Sequence, residues 1–158
     1  MTLLSSPPST IFLIDDDQDD CLMFEVALKE INPKIKFSCV SSCLEILPQL
    51  HELAPDLIFL DIKMPLKNGF DCLREIRKNG QCKAIPIVIY SSSIHPEDVK
   101  LSYDLGATLY FQKPSIYQEF IRSLESILSL AWHVPGAITA KQYKHGRHYP
   151  FEMEKSER

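Results

Sequence analysis

The chain has 158 residues, 45% of them apolar, and a formal net charge of -4, which is enough apolar material for one globular domain with a substantial core. No stretch approaches the length of a membrane-spanning helix, the N-terminus lacks the basic-then-apolar layout of a secretory leader, and the acidic balance argues against direct nucleic-acid binding. Five scattered cysteines, Cys21, Cys39, Cys43, Cys72 and Cys82, form no Cys-x-x-Cys pair and read as buried thiols of a reducing, cytoplasmic compartment.

Residues 1–9, ending in Leu4-Ser-Ser-Pro-Pro-Ser9, read as a disordered lead-in. Ile11-Phe-Leu-Ile14 is a short apolar run that ends in Asp15-Asp16-Asp17, and Asp17 caps a helix whose inward stripe is Cys21, Phe24, Leu28 and Ile31. Asn32-Pro33 stops that helix, and a second strand follows over 35–40. Ser42 with Glu45 forms a capping box for the next helix, which Pro48 kinks or stops early. Leu57-Ile-Phe-Leu60 is the third strand, ending at Asp61, and a loop with Pro65 and Gly69 leads into a helix that buries Phe70, Leu73 and Ile76 and closes at Asn79-Gly80. Ile87-Val-Ile-Tyr90 ends in Ser91-Ser92-Ser93, and a weaker helix spans 96–105 between Pro96 and Gly106. Leu109-Tyr-Phe-Gln112 ends in Lys113-Pro114, after which Ser115 caps a final helix carrying Phe120, Leu124, Leu128 and Ala131 on one face.

Short apolar runs alternating with helices predict an α/β domain over 10–131, a doubly wound, three-layer (βα)5 sandwich. Right-handed crossovers that cover both faces require the strand order to reverse, and with the second strand outside the first the order becomes 2-1-3-4-5. The carboxyl ends of all strands then share one edge, and the crevice opens between strands 1 and 3. Asp15, Asp16, Asp61, Ser91 and Lys113 would meet there, a set suited to a divalent cation and a phosphoryl group.

Ile14-Asp15-Asp16, Leu60-Asp61-Ile-Lys-Met-Pro65, Tyr90-Ser91-Ser92 and Phe111-Gln-Lys113-Pro114 together resemble the receiver domain of two-component response regulators, a flavodoxin-like fold. The resemblance spans roughly 10–131 and is specific because all four motifs occur in order. It implies that Asp61 accepts a phosphoryl group from the phosphohistidine of a sensor histidine kinase or histidine phosphotransfer protein. It also implies that Asp16, Asp61 and the backbone carbonyl of Lys63 bind Mg²⁺, with Asp15 reaching it through water, and that Lys113 neutralises the phosphoryl charge. Ser91 would bond the arriving phosphoryl group, and its movement would let Tyr110 turn inward. Lys63 and Ser93 stand where relatives set the lifetime of the acyl phosphate. The implied protein is a phosphoacceptor rather than an enzyme, and its phosphorylated form changes binding to a downstream protein whose identity, like the oligomeric state, stays open.

Other readings are weaker. A Mg²⁺-dependent aspartyl-phosphate phosphatase would need Thr or Val within its first motif, where Asp15-Asp16-Asp17-Gln18-Asp19 offers neither. A flavin-binding protein would need a Gly/Ser/Thr-rich phosphate loop in place of this acid. A pseudo-receiver that binds partners without phosphorylation is disfavoured by the intact set of charged residues. Asp17, Asp19 and Asp20 read as helix cap and solvated loop. Residues 132–158, with 5 basic and 3 acidic residues, are too short and broken for an output domain. They read as a tail that is either disordered or an arm using Trp132, Tyr143, Tyr149 and Phe151 to pack back on the domain or onto a second subunit. Its histidines, His133, His145 and His148, lack the spacing of a metal site.

Overall fold

A computed structural model describes residues 6–65 and 68–154. Five strands, β1 (Thr10–Ile14), β2 (Lys36–Val40), β3 (Leu57–Leu60), β4 (Ile87–Ser91) and β5 (Leu109–Gln112), form one parallel sheet in the order β2-β1-β3-β4-β5. Alternation along each strand sorts its side chains to opposite faces. Phe12, Ile14, Ile58, Leu60, Ile87, Ile89 and Tyr110 lie on one face, against α2 (Cys43–Ile46), α3 (Leu50–Leu53), α4 (Gly69–Lys78) and α5 (Pro96–Asp104). Ile11, Leu13, Phe59, Val88, Tyr90 and Phe111 lie on the other, against α1 (Gln18–Ile31) and α6 (Tyr117–Leu128). Both faces are covered, so the inner strands are apolar throughout, as a parallel sheet requires.

Local signals act largely as expected. The Asp17 side chain accepts from the Asp19 and Asp20 N–H groups and starts α1, while Asn32 ends it. Pro48 divides the second helical region into α2 and α3, because it can neither donate to the helix ladder nor fit its interior. Two cap expectations are corrected. The Ser42 side chain bonds the Leu44 N–H rather than that of Glu45, and α6 starts after Ile116 without any side-chain cap, so Ser115 does not serve.

The cysteine expectation is also corrected. Cys21 and Cys39 are joined in a disulfide across α1 and β2, and Cys43 and Cys72 across α2 and α4, with Cα separations of 6.0 and 5.7 Å, while Cys82 is a buried free thiol. Those separations lie within the reach of a disulfide. The sequence hides the pairs because helix packing on the sheet, not chain spacing, brings them together.

At the N-terminal end, residues 1–5 lie outside the described part, but Ser9 is ordered: its N–H and hydroxyl both donate to the Asp56 carboxylate. The tail, described as far as residue 154, packs back on the domain. Trp132 is buried and donates from Nε1 to the Ile127 carbonyl. A helix α7 (Pro135–Lys141) follows, then a hairpin of β6 (Tyr143–Lys144) and β7 (Arg147–His148). Its two-residue loop, His145-Gly146, has both φ angles positive (53° and 82°), as the twist of a tight hairpin demands. Because β5 is a sheet edge, its outer backbone groups need partners. The Thr139 hydroxyl donates to the Thr108 carbonyl, and the Phe151 N–H donates to the Tyr110 carbonyl at 2.7 Å. The Tyr103 hydroxyl accepts from the Tyr110 N–H and donates to the Tyr149 carbonyl, each at 3.0 Å. Tyr103→Phe therefore costs about 1–2 kcal/mol and loosens the tail; hydrogen exchange over 148–152 should speed up in the variant, while exchange in β1 and β3 stays unchanged.

No described helix is long and apolar enough to cross a membrane.

Candidate functional site

The predicted residues converge at the carboxyl edge of the sheet. The Asp15 N–H donates to the Val40 carbonyl and the Asp61 N–H to the Ile14 carbonyl, which locks both residues to strand β1 and its neighbours just beyond the last strand pairs. The Lys113 N–H donates to the Ser91 carbonyl at 2.8 Å and sets the fifth strand's end beside the fourth. Asp15, Asp16 and Asp61 each offer a carboxylate oxygen, and those oxygens all lie within 4.8 Å of one another; Asp15 and Asp61 are buried and Asp16 is exposed. Hard oxygen donors so close, with one of them open to solvent, suit a small divalent cation that keeps part of its water shell.

Gly69 makes this geometry possible. Its N–H donates to the Ile62 carbonyl, and a Cβ placed on it would lie 2.2 Å from the Asp61 carbonyl oxygen and 2.5 Å from Ile62 Cα. The start of α4 can rest directly on the Asp61 turn only because residue 69 has no side chain. The Lys63 N–H donates to Asp61 Oδ1 at 3.1 Å, and the Asp17 N–H to Asp15 Oδ1 at 3.0 Å, so each carboxylate is oriented by the turn that follows it.

Lys113 carries the positive charge of the site. Its Nζ lies 2.8 Å from Asp15 Oδ2, 2.7 Å from Asp20 Oδ2 and 3.4 Å from Asp61 Oδ2. It also sits over the ring of Tyr90, 5.0 Å from the centroid. Burial alone would lower the Lys113 ammonium, but hydrogen bonds to Asp15 and Asp20 and the charges of Asp15 and Asp61 outweigh it and raise the group, so it stays protonated. Asp20 is the residue that sequence reasoning missed. By sequence it reads as helix cap and solvated loop, and it does lie in the first turn of α1, but that turn aims it at a lysine 93 positions away.

Asp15 is pushed up to about 6, chiefly by burial, with Lys113 opposing and the Asp61 charge adding to the rise. A folded-state value above the unfolded 3.8 means that the native state holds a proton which the unfolded chain has released. This contribution to stability is therefore present at low pH and is lost as pH rises from about 4 to about 6, by at most ~3 kcal/mol. A cation that binds the ionised form reverses the trend. Thermal melts should show the metal-free protein losing stability across that window relative to Asp15→Asn, and the Mg²⁺-induced rise in Tm growing as pH passes about 6.

Ser91 is fully buried, and its hydroxyl accepts from the Ser93 N–H at 3.2 Å. Ser93 donates from Oγ to Asp98 Oδ2 at 2.6 Å. Tyr110 lies inward, with no exposed surface, and its hydroxyl donates to the Ser93 carbonyl at 2.8 Å. Tyr110 thus ties the loop after β4 to the β5 edge on which the tail rests.

Comparison with known proteins gives one answer. The family model for the response regulator receiver domain matches residues 11–125. Response regulator Rcp1 of Synechocystis is 28% identical over 132 residues, covering 79% of this chain and 90% of Rcp1. The sensory transduction protein BceR of Halalkalibacterium halodurans is 31% identical over 118 residues, and the match covers 75% of this chain but only 49% of BceR. Among solved structures, the phosphorylated cyanobacterial phytochrome response regulator RcpA matches with a TM-score of 0.69 at 31% identity, over 75% of this chain and 90% of that one. The Mn²⁺-bound form of Rcp1 matches with a TM-score of 0.68 at 28% identity, over 78% and 94%. With the strand order, the acidic cluster and these matches in agreement, the chain belongs to the response regulator receiver family.

Proposed function

We propose that this protein is a phosphoacceptor in which Asp61 takes a phosphoryl group from a phosphohistidine. The observation that carries this reading is the meeting of three carboxylates within 4.8 Å with the Lys113 ammonium 3.4 Å from Asp61 Oδ2. An Asp61 oxygen attacks phosphorus and forms the new P–O bond. The P–N bond to imidazole breaks, and its electron pair and a proton from solvent leave with the histidine.

Asp16, Asp61 and the Lys63 carbonyl, with Asp15 through water, would hold Mg²⁺; that Rcp1 has a Mn²⁺-bound form supports a divalent ion for this family. When bound, that ion supplies positive charge to the phosphoryl oxygens. The chain's own residues do the remaining work. Lys113 neutralises charge on the transferred group and stays protonated throughout. The Ser91 hydroxyl turns from the Ser93 N–H to a phosphoryl oxygen. That movement disturbs the loop whose carbonyl holds Tyr110, and so reaches the β5 edge and the surface presented to a downstream protein. The chain has no substrate-turnover role in this scheme, and the donor is a histidine kinase or histidine phosphotransfer protein of the cytoplasm.

Incubation with acetyl phosphate and Mg²⁺, read by intact mass, tests the proposal. The expected result is the addition of one phosphoryl group that requires the metal. A chain that stays unmodified while keeping its fold would instead be a pseudo-receiver.

A further inference from the structure

The Lys113 ammonium is shared unequally. Asp20 Oδ2 and Asp15 Oδ2 hold it at 2.7 and 2.8 Å, whereas Asp61 Oδ2 is 3.4 Å away. Asp15 and Asp20 differ in a way that matters. Asp15 belongs to the three-carboxylate cluster, and Asp20 does not, so a cation in that cluster competes with Lys113 for Asp15 and leaves Asp20 as its remaining tether. Asp20 is itself held in place, because its N–H donates to the Asp17 cap at 3.1 Å.

A second observation lies beneath the ammonium. Tyr90 has no exposed surface, and its hydroxyl has no hydrogen-bond partner among the described residues. Its ring lies among Phe24, Phe59, Phe111 and Phe120, an apolar setting in which an unsatisfied hydroxyl is unfavourable. Lys113 joins this ring to Asp20: its Nζ lies 5.0 Å from the Tyr90 ring centroid and 2.7 Å from Asp20 Oδ2, and burial, with the Asp20 charge next, raises the phenol so that it keeps its proton.

We infer that Asp20 is a positioning residue: it parks the Lys113 ammonium away from Asp61 in the resting protein, and the Tyr90 hydroxyl replaces Lys113 at Asp20 when the ammonium moves to the phosphoryl group. This deepens the phosphoacceptor reading and rests on it. A half-buried carboxylate that lost its cation with nothing in exchange would hold Lys113 back. An orphan O–H donor on the ring that lies under the same ammonium removes that obstacle, since Asp20 and Tyr90 each gain a partner as Lys113 departs. No proton changes hands; one cation exchanges three carboxylates for a phosphoryl group, and one hydroxyl acquires its first acceptor.

The test uses the full chain and the variants Asp20→Asn, Tyr90→Phe and their combination, with acetyl phosphate at saturating Mg²⁺. Asp20→Asn keeps the shape but removes the tether, so the phosphorylation rate should rise about 3- to 10-fold with metal affinity unchanged. Tyr90→Phe should slow phosphorylation by a similar factor. In the Asp20→Asn background Tyr90→Phe should have no effect on the rate, because no charged acceptor is left to serve. Slower phosphorylation in Asp20→Asn, or two effects that multiply independently, overturns the inference; a purely structural role would lower Tm without producing this cancellation. A further arm needs no phosphorylation at all. The Lys113 ammonium resonance, followed by ¹⁵N NMR, should exchange with solvent faster in Asp20→Asn. If the wild-type chain accepts no phosphoryl group, the phosphoacceptor reading fails, and unchanged ammonium exchange then separately removes the parking role.

Discussion

Gly69→Ala should lower Tm by roughly 6–12 °C and displace Asp61. The added methyl would stand 2.2 Å from the Asp61 carbonyl oxygen and 2.5 Å from Ile62 Cα, and both are backbone atoms that no rotamer change can clear. Overpacking of this kind costs about 3 kcal/mol, and a domain of this size shifts by roughly 2–4 °C for each kcal/mol. The clash falls on the turn that aims the proposed phosphoacceptor, so phosphorylation should fall at temperatures where the variant is still folded. Thermal melts together with intact-mass phosphorylation below the transition check both parts. By contrast Gly80→Ala, at a position where a Cβ meets nothing within 4 Å, should leave phosphorylation unchanged. If Gly69→Ala behaved like Gly80→Ala, the close approach of α4 to the Asp61 turn would be wrong.

Asp61→Asn should abolish addition of the phosphoryl group while stabilising the metal-free protein by about 1–2 kcal/mol at neutral pH. An amide oxygen can still accept from the Lys63 N–H, which now meets Asp61 Oδ1 at 3.1 Å, so the turn survives. What disappears is one of three carboxylates grouped around the Lys113 ammonium. Repulsion between two carboxylates a few ångströms apart amounts to a few kcal/mol at an effective dielectric near 20, and part of that is returned by losing the Asp61–Lys113 contact. The gain should vanish at saturating Mg²⁺, because the wild-type cluster binds the ion better than the variant does. Melts of both proteins with and without Mg²⁺ measure this. A variant less stable than wild type without the ion would mean that the carboxylates do not strain one another.

Disulfides and tail stand on a different footing from the sheet. Cys21 and Cys39 lie 18 residues apart, and Cys43 and Cys72 lie 29 apart; nothing in those spacings separates a buried thiol from half of a bond. Only the packing of α1 against β2 and of α2 against α4 decides it. The tail is similar. Trp132, Tyr149 and Phe151 could serve a neighbour or the chain itself, and the open β5 edge draws them home by offering unpaired backbone groups at Thr108 and Tyr110.

The sequence by itself determined the layers, the need for a reversal in strand order and the gathering of Asp15, Asp16, Asp61, Ser91 and Lys113 at one edge. Those follow from local causes: strand periodicity, turn residues, and the handedness of crossovers, all written in contiguous stretches. Tertiary structure alone decided that Asp20 holds Lys113, that the Tyr90 hydroxyl lacks a partner among the described residues, and that Tyr110 lies inward. Each depends on where a side chain from one element meets another many residues away, and an aspartate in a first helical turn carries the same local signal whether it faces water or a buried ammonium.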